Sequence, residues 1–248
     1  MAIIKVKNIK EIPKVRPFKK RSTNNLYFQD ENNIVKIFLE CYRPLNERTG
    51  RDIYKMLTFL MNLEGSTNLV LPKNIYVNSE EIIGYSTTFL NAPSISYISR
   101  DTKLIDLLNA YKKVLEDLKL LSENSVNLLD VNEGSILYKD GSLYLLDFDL
   151  SEFDNMTSKN SIYTYNAYKI WQQILRSIFI NISPYSLYDI TNHLHLRDFD
   201  RGALGCGIIS IEDSLDNFYL SMQNSLAIDN KICLNDIDLK LRRIKDGY

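Results

Sequence analysis

The sequence predicts an α+β fold in which a small strand-rich lobe precedes a mostly helical one. Three observations predict it: apolar alternation over most of the first ninety residues, one inserted stretch of three-and-four-residue apolar spacing from about Glu47, and helical spacing that dominates after residue 92. The 248 residues amount to about 1.7 domains at roughly 150 residues each, which fits one large domain or two lobes, 1–92 and 93–248, making one unit together. A composition of 45% hydrophobic and 11% aromatic residues supplies a packed core and excludes a disordered chain. A net charge of −1 argues against a chain whose main task is gripping nucleic acid or an anionic membrane.

The elements follow in order. Ile3 to Val6, Leu26 to Phe28 and Ile34 to Leu39 alternate as strands, separated by the polar breaks Ser22 to Asn25 and Asp30 to Asn33, and together they predict a small antiparallel sheet. Ile53, Met56, Leu57, Leu60 and Leu63 then recur at helical steps, with an end expected near Gly65. Ile75 to Val77 and Ile82 to Phe89 read as two further strands, and Asn91, Ala92 and Pro93 punctuate the end of the lobe. Leu104, Leu107, Leu108, Tyr111, Val114, Leu115, Leu118 and Leu121 trace one apolar face of a long helix. Ser135 to Tyr138 and Leu143 to Phe148 are short apolar runs around an Asp-Gly pair, the signal of a tight hairpin. Helical spacing returns from Tyr165 through Trp171 to Phe179.

No apolar run reaches the roughly 20 residues that cross a bilayer, and the charged start lacks a signal-peptide core, so a cytoplasmic location without membrane partners is expected. Cys41, Cys206 and Cys233 are odd in number and far apart, which predicts reduced thiols and no zinc site. His193 and His195 have no third ligand nearby in sequence, and read as surface or capping residues. Gly202, Gly205 and Gly207 read as a turn, because no strand leads into them and no helix starts directly after.

Two clusters carry chemistry. Lys36 sits inside the apolar strand Ile-Val-Lys-Ile-Phe, where a lone ammonium calls for a carboxylate or a phosphate; the alternative is a lysine on a solvent-facing side of the strand. Asp130 leaves a loop, while Asp147 and Asp149 end the second arm of the hairpin. Paired carboxylates suit magnesium, which prefers oxygen ligands. Turn and cap formation is the alternative task for each aspartate.

In this order the pieces resemble the protein kinase-like superfamily, which includes protein kinases and the small-molecule kinases related to aminoglycoside and choline kinases. The resemblance runs from about Thr23 to Asp149. It implies that Lys36 holds the α and β phosphates of ATP and that Asp130 is the catalytic-loop aspartate that orients or deprotonates an acceptor hydroxyl. Asp147 becomes the magnesium aspartate, with Asp149 assisting. Ser-Ile-Leu-Tyr resembles the family's Asn-Ile-Leu, so Ser135 stands where a metal-binding asparagine is usual. For the helix carboxylate that pairs with the lysine, Asp52 and Glu47 are candidates, with Asp52 preferred.

Departures accompany the matches. Leu128 and Leu129 stand where His and Arg often precede the loop aspartate, and Asp149 replaces the usual glycine after Asp-Phe. The stretch Lys19 to Asn25 lacks the glycines of a phosphate loop; Lys20 and Arg21 are its candidate cofactor contacts through side-chain charge, against a plain solvated basic strand end. Phe89, at the close of the fifth strand, is a further candidate cofactor contact. The expected function is an ATP- and magnesium-dependent phosphotransferase with a protein or small-molecule hydroxyl acceptor. The alternative is a pseudokinase-type regulatory domain that binds a nucleotide or a protein, and a third reading is an unrelated α+β interaction module. No Ala-Pro-Glu segment follows Asp149, which favours a small-molecule or atypical protein acceptor.

Overall fold

The computed structural model describes residues 2–13, 16–18, 25–30, 32–39, 44–179, 211–226 and 231–246. In chain order these form β1 (Ala2–Lys5), β2 (Arg16–Pro17), β3 (Asn25–Asp30), β4 (Asn33–Phe38), α1 (Arg48–Met61), β5 (Pro72–Val77), β6 (Ile82–Thr88), α2 (Leu104–Glu123) and β7 (Val126–Asn127). There follow β8 (Ile136–Lys139), β9 (Ser142–Leu145), β10 (Glu152–Phe153), α3 (Lys159–Ile178), α4 (Ile211–Leu226) and α5 (Leu234–Asp246). The fold is mixed α+β, with a six-stranded mixed sheet and five α-helices among the described residues.

The chain forms two compact units. The first comprises Met1–Asn91, Leu128–Asp130 and Leu146–Phe153, and the second Ala92–Asn127, Val131–Leu145 and Asp154–Tyr248. The sequence placed 128–130 and 146–153 with the helical part. They join the first unit because their contacts lie there: the turn at Phe148–Leu150 packs on α1, and Asp149 reaches Lys36.

In the first unit the sheet order is β1-β5-β6-β4-β3-β2. The expected sheet was wholly antiparallel with five strands. The observed one has a sixth short strand, β2, and β1 runs parallel to β5, with Ala2 opposite Asn74 and Lys5 opposite Val77. A parallel pair requires a long crossover, and apolar alternation is blind to strand direction.

Side chains alternate across the pleat, so β4 sends Val35 and Ile37 to one face and Lys36 and Phe38 to the other. Val35 and Ile37 pack with Val6, Ile12, Tyr76 and Ile83. Phe38 packs with Ile53, Leu57 and Met61 of α1 and with Ile75, Ile82 and Tyr85. Ile83 and Tyr85 are two apart yet belong to different clusters, because the β5–β6 register shifts between Tyr76 and Val77. Helix α1 buries Gly50, Ile53, Met56, Leu57, Leu60 and Met61, and this wholly apolar face is what fastens it to the sheet.

In the second unit α2 buries the predicted stripe from Leu104 to Leu121. Tyr111 donates to the Ala167 carbonyl of α3 at 2.6 Å, and its ring stacks on Trp171 at 5.6 Å. Trp171 meets Phe218 of α4 edge-on at 5.0 Å. Helix α3 starts six residues before the first apolar residue of the predicted run. Ser158 caps it by accepting from the Ser161 amide at 3.2 Å, a polar signal that an apolar period does not register. The β8–β9 hairpin turns through Asp140 (φ 49) and Gly141 (φ 71), the two positive φ values that a type I′ turn requires. The second arm ends at Leu145, three residues earlier than expected, because the backbone leaves extended geometry at Asp147.

Candidate functional site

Lys36 lies in β4 with β3 on one side and β6 on the other. The register puts Tyr27 directly opposite it on β3 and Tyr85 directly opposite it on β6, so the three side chains form a row on one face. Lys36 is only 6% exposed. Its ammonium stands 5.7 Å from the centre of the Tyr27 ring and 5.8 Å from those of Phe38 and Tyr85. A buried ammonium ringed by aromatics gains from their negative faces, but needs a full counter-charge to offset its lost hydration.

Two aspartates supply it. The Lys36 Nζ donates to Asp149 Oδ1 at 2.7 Å and lies 3.6 Å from Asp147 Oδ1. The Tyr85 hydroxyl donates to the same Asp149 oxygen at 2.9 Å. Burial works against the lysine's charge, yet Asp149 and then Asp147 outweigh it and hold the ammonium pKa above its ordinary value. Burial, followed by the charge of Asp147, pushes the Tyr27 phenol up to about 12, and Tyr85 is raised well above its usual value by burial and Asp149. In this setting both tyrosines are neutral hydrogen-bonding groups at physiological pH.

The carboxylates reach Lys36 through a local turn. After β9, Asp147 adopts left-handed backbone (φ 66, ψ 51) and leads into a single 3-10 turn, Phe148–Leu150, anchored by the buried Phe148 ring. A non-glycine residue in that region costs roughly 1–3 kcal/mol, and such strain gathers at functional sites where surrounding contacts sustain it. Asp149 is 3% exposed, whereas the Asp147 side chain keeps 18% of its surface in contact with solvent.

The remaining candidates divide. Asp130 belongs to the first unit with Lys36, is exposed, and has no hydrogen-bond or ion-pair partner among the described residues. Asp52 is not the partner of Lys36. It is half exposed and pairs with Arg48 of its own helix at 3.4 Å, because the face of α1 that meets the sheet is apolar. Glu47 is likewise exposed, at the N-terminal cap position of α1. Phe89 follows β6, half-buried, with its amide bonded to the Asn32 carbonyl at 2.7 Å and its ring edge-on to Phe18 at 6.0 Å. Ser135, in the second unit, closes a 3-10 turn capped by Asn132; it is 4% exposed, and its hydroxyl has no hydrogen-bond partner among the described residues. Lys20 and Arg21 lie outside the described residues, as do Lys19, Cys41, His193, His195, Gly202, Cys206 and their neighbours. Cys233 is a free thiol whose sulfur donates to Asp236 at 3.0 Å.

Tyr27 and Tyr85 escaped the sequence reading. Each is an aromatic residue in a strand, which reads as core, and only strand register shows that both flank the lysine.

Among the described residues no helix is long and apolar enough to cross a membrane, and no group of three or more His, Cys, Asp or Glu side chains is placed to hold a metal ion. Comparison with protein-family models and with curated proteins finds no match to this chain.

Proposed function

We propose that this chain is a phosphotransferase of protein kinase-like, two-lobe fold that uses ATP and magnesium to phosphorylate a hydroxyl on a protein or small molecule. One observation carries the reading: a lysine buried in the central part of a sheet, Lys36, is met by the two aspartates of an Asp-Phe-Asp turn more than a hundred residues away, at 2.7 and 3.6 Å. An ammonium so placed is ready to meet phosphate oxygens, and its raised pKa keeps it charged across the physiological range.

The donor set suits magnesium that arrives with a nucleotide, since that ion needs only one or two carboxylates when phosphate oxygens and water complete its shell. Asp147, partly open to solvent, is the carboxylate for it. Asp149 is a poorer ligand than the sequence suggested, because its Oδ1 is already shared by Lys36 and Tyr85. Bound magnesium would neutralise phosphate charge that otherwise repels an attacking hydroxyl. Lys36 holds the α and β phosphates, and Asp130, exposed and without an ion-pair partner among the described residues, accepts the proton of the acceptor hydroxyl, a task worth about 10² to 10⁴ in rate.

A pseudokinase is the second reading, favoured by Ser135 in the place of an asparagine and by how tightly Asp149 already occupies Lys36. Thermal unfolding with millimolar ATP and magnesium tests both. At about one hundred times its dissociation constant the nucleotide should add roughly 2.7 kcal/mol to stability. Asp147→Asn should diminish that gain, and Asp130→Asn should keep it while abolishing phosphoryl transfer. A gain in wild type without transfer to any hydroxyl, including hydrolysis by water, supports the pseudokinase. No thermal gain at all overturns nucleotide binding.

A further inference from the structure

We propose that Asp149, fixed by the Tyr85 hydroxyl, is the residue that positions Lys36, in place of a carboxylate on helix α1; the inference rests on the phosphotransferase reading for its functional meaning. The geometry makes the case from both sides. On one side, the shortest contact of the Lys36 ammonium is the 2.7 Å bond to Asp149 Oδ1, and that same oxygen accepts the Tyr85 hydroxyl at 2.9 Å. Lys36 and Tyr85 are direct cross-strand neighbours on β4 and β6, so the carboxylate is held at two points by one rigid row of the sheet. All three groups are buried, which strips away the water that would compete for these bonds.

On the other side, α1 offers nothing to the lysine. Its buried residues are Gly50, Ile53, Met56, Leu57, Leu60 and Met61, none of them an acid, and Asp52 and Glu47 are exposed. Asp52 is engaged by Arg48 and Glu47 lies at the helix start.

Two consequences follow. The orientation of Lys36 depends on the Asp147–Leu150 turn and the sheet, both set when the first unit folds, and is independent of ion pairing on α1. The Asp-Phe-Asp turn also divides its two acids by burial: Asp149, 3% exposed, makes the shorter contact to the lysine, and Asp147, also paired with it at 3.6 Å, keeps 18% of its side chain open to solvent.

The test labels the lysines with 13C at Cε and follows the Lys36 resonance through an alkaline titration, alongside calorimetric titration with ATP and magnesium, in wild type, Asp149→Asn, Tyr85→Phe and Asp52→Asn. Asp149→Asn should make Lys36 lose its proton at a distinctly lower pH and weaken nucleotide binding by about tenfold to a hundredfold, the range for a lost hydrogen bond to a charged group. Tyr85→Phe, a milder change that keeps the ring, should weaken binding by about threefold to tenfold. It decides the matter alone if Asp149→Asn does not fold. Asp52→Asn should leave both readouts at wild-type values. The proposal is overturned if the Lys36 titration is indifferent to Asp149→Asn, if Tyr85→Phe binds nucleotide as wild type does, or if Asp52→Asn moves the Lys36 titration. If wild type binds no nucleotide, the phosphotransferase reading falls, and the titration still decides which carboxylate governs Lys36.

Discussion

Replacing Lys36 by methionine removes the charge while keeping an unbranched chain of similar length among the rings of Tyr27, Phe38 and Tyr85. At an effective dielectric near 20, unit charges at 2.7 Å attract by about 6 kcal/mol and at 3.6 Å by about 5 kcal/mol. These gross attractions are offset by the cost of burying the charges. What the variant exposes is the stranded Asp149 carboxylate, 3% accessible and left with the Tyr85 hydroxyl alone among its present partners. Breaking a buried pair by removing one member typically costs about 3–5 kcal/mol. For a chain of this size that lowers the melting temperature by roughly 6–20 °C. Urea unfolding of Lys36→Met, Asp149→Asn and the double variant gives the coupling. The double variant should cost well under the sum of the singles, by more than about 1.5 kcal/mol, since removing both charges leaves none uncompensated. Additivity within about 0.5 kcal/mol would refute the reasoning and reduce Lys36 to a lysine that merely passes near two acids.

Other expectations concern the scaffold. A Cβ at Gly84 would stand 2.1 Å from the Lys36 carbonyl and 3.0 Å from Ile37 Cα, both backbone atoms; Gly84→Ala should therefore push β4 from β6, cost about 3 kcal/mol or more by urea midpoint, and weaken any nucleotide binding, and a neutral result would contradict the close approach of the strands. Tyr27, Tyr85, Tyr111 and Tyr163 all hold their phenol protons above the usual value near 10, burial being the leading cause in each. Above that pH the unfolded chain binds fewer protons than the folded one, so stability should fall as pH rises, with tyrosinate absorbance from these four delayed beyond the usual pH while the chain stays folded. Smooth titration of all the tyrosines near pH 10 in the folded protein would contradict their burial. In the second unit the Arg100 guanidinium donates to the carbonyls of Ser177, Ile178 and Leu234 and pairs with Asp238 at 2.8 Å. Lysine cannot reproduce that fork, and Arg100→Lys should cost about 1–3 kcal/mol; an unchanged unfolding midpoint would count against its tying α3 to α5.

Local pattern determined a good deal by itself. Apolar period located α1, α2 and the strands β4, β5 and β6, and the Asp-Gly pair located the β8–β9 turn, because period and turn chemistry are properties of neighbouring residues. A lone cation in an apolar strand also posed the question of a partner for Lys36, since the cost of burying an unpaired charge does not depend on the fold, but the strand pattern alone left a solvent-facing lysine open. Which partner it found was a different matter. The choice of Asp149 and Asp147 over Asp52, the parallel pairing of β1, the shift that puts Ile83 and Tyr85 in different clusters, and the alignment of Tyr27 and Tyr85 with the lysine all depend on register and helix rotation. Those are fixed by packing between segments distant in the chain, where a one-residue slip sends a side chain to the opposite face. The tertiary structure alone decided them.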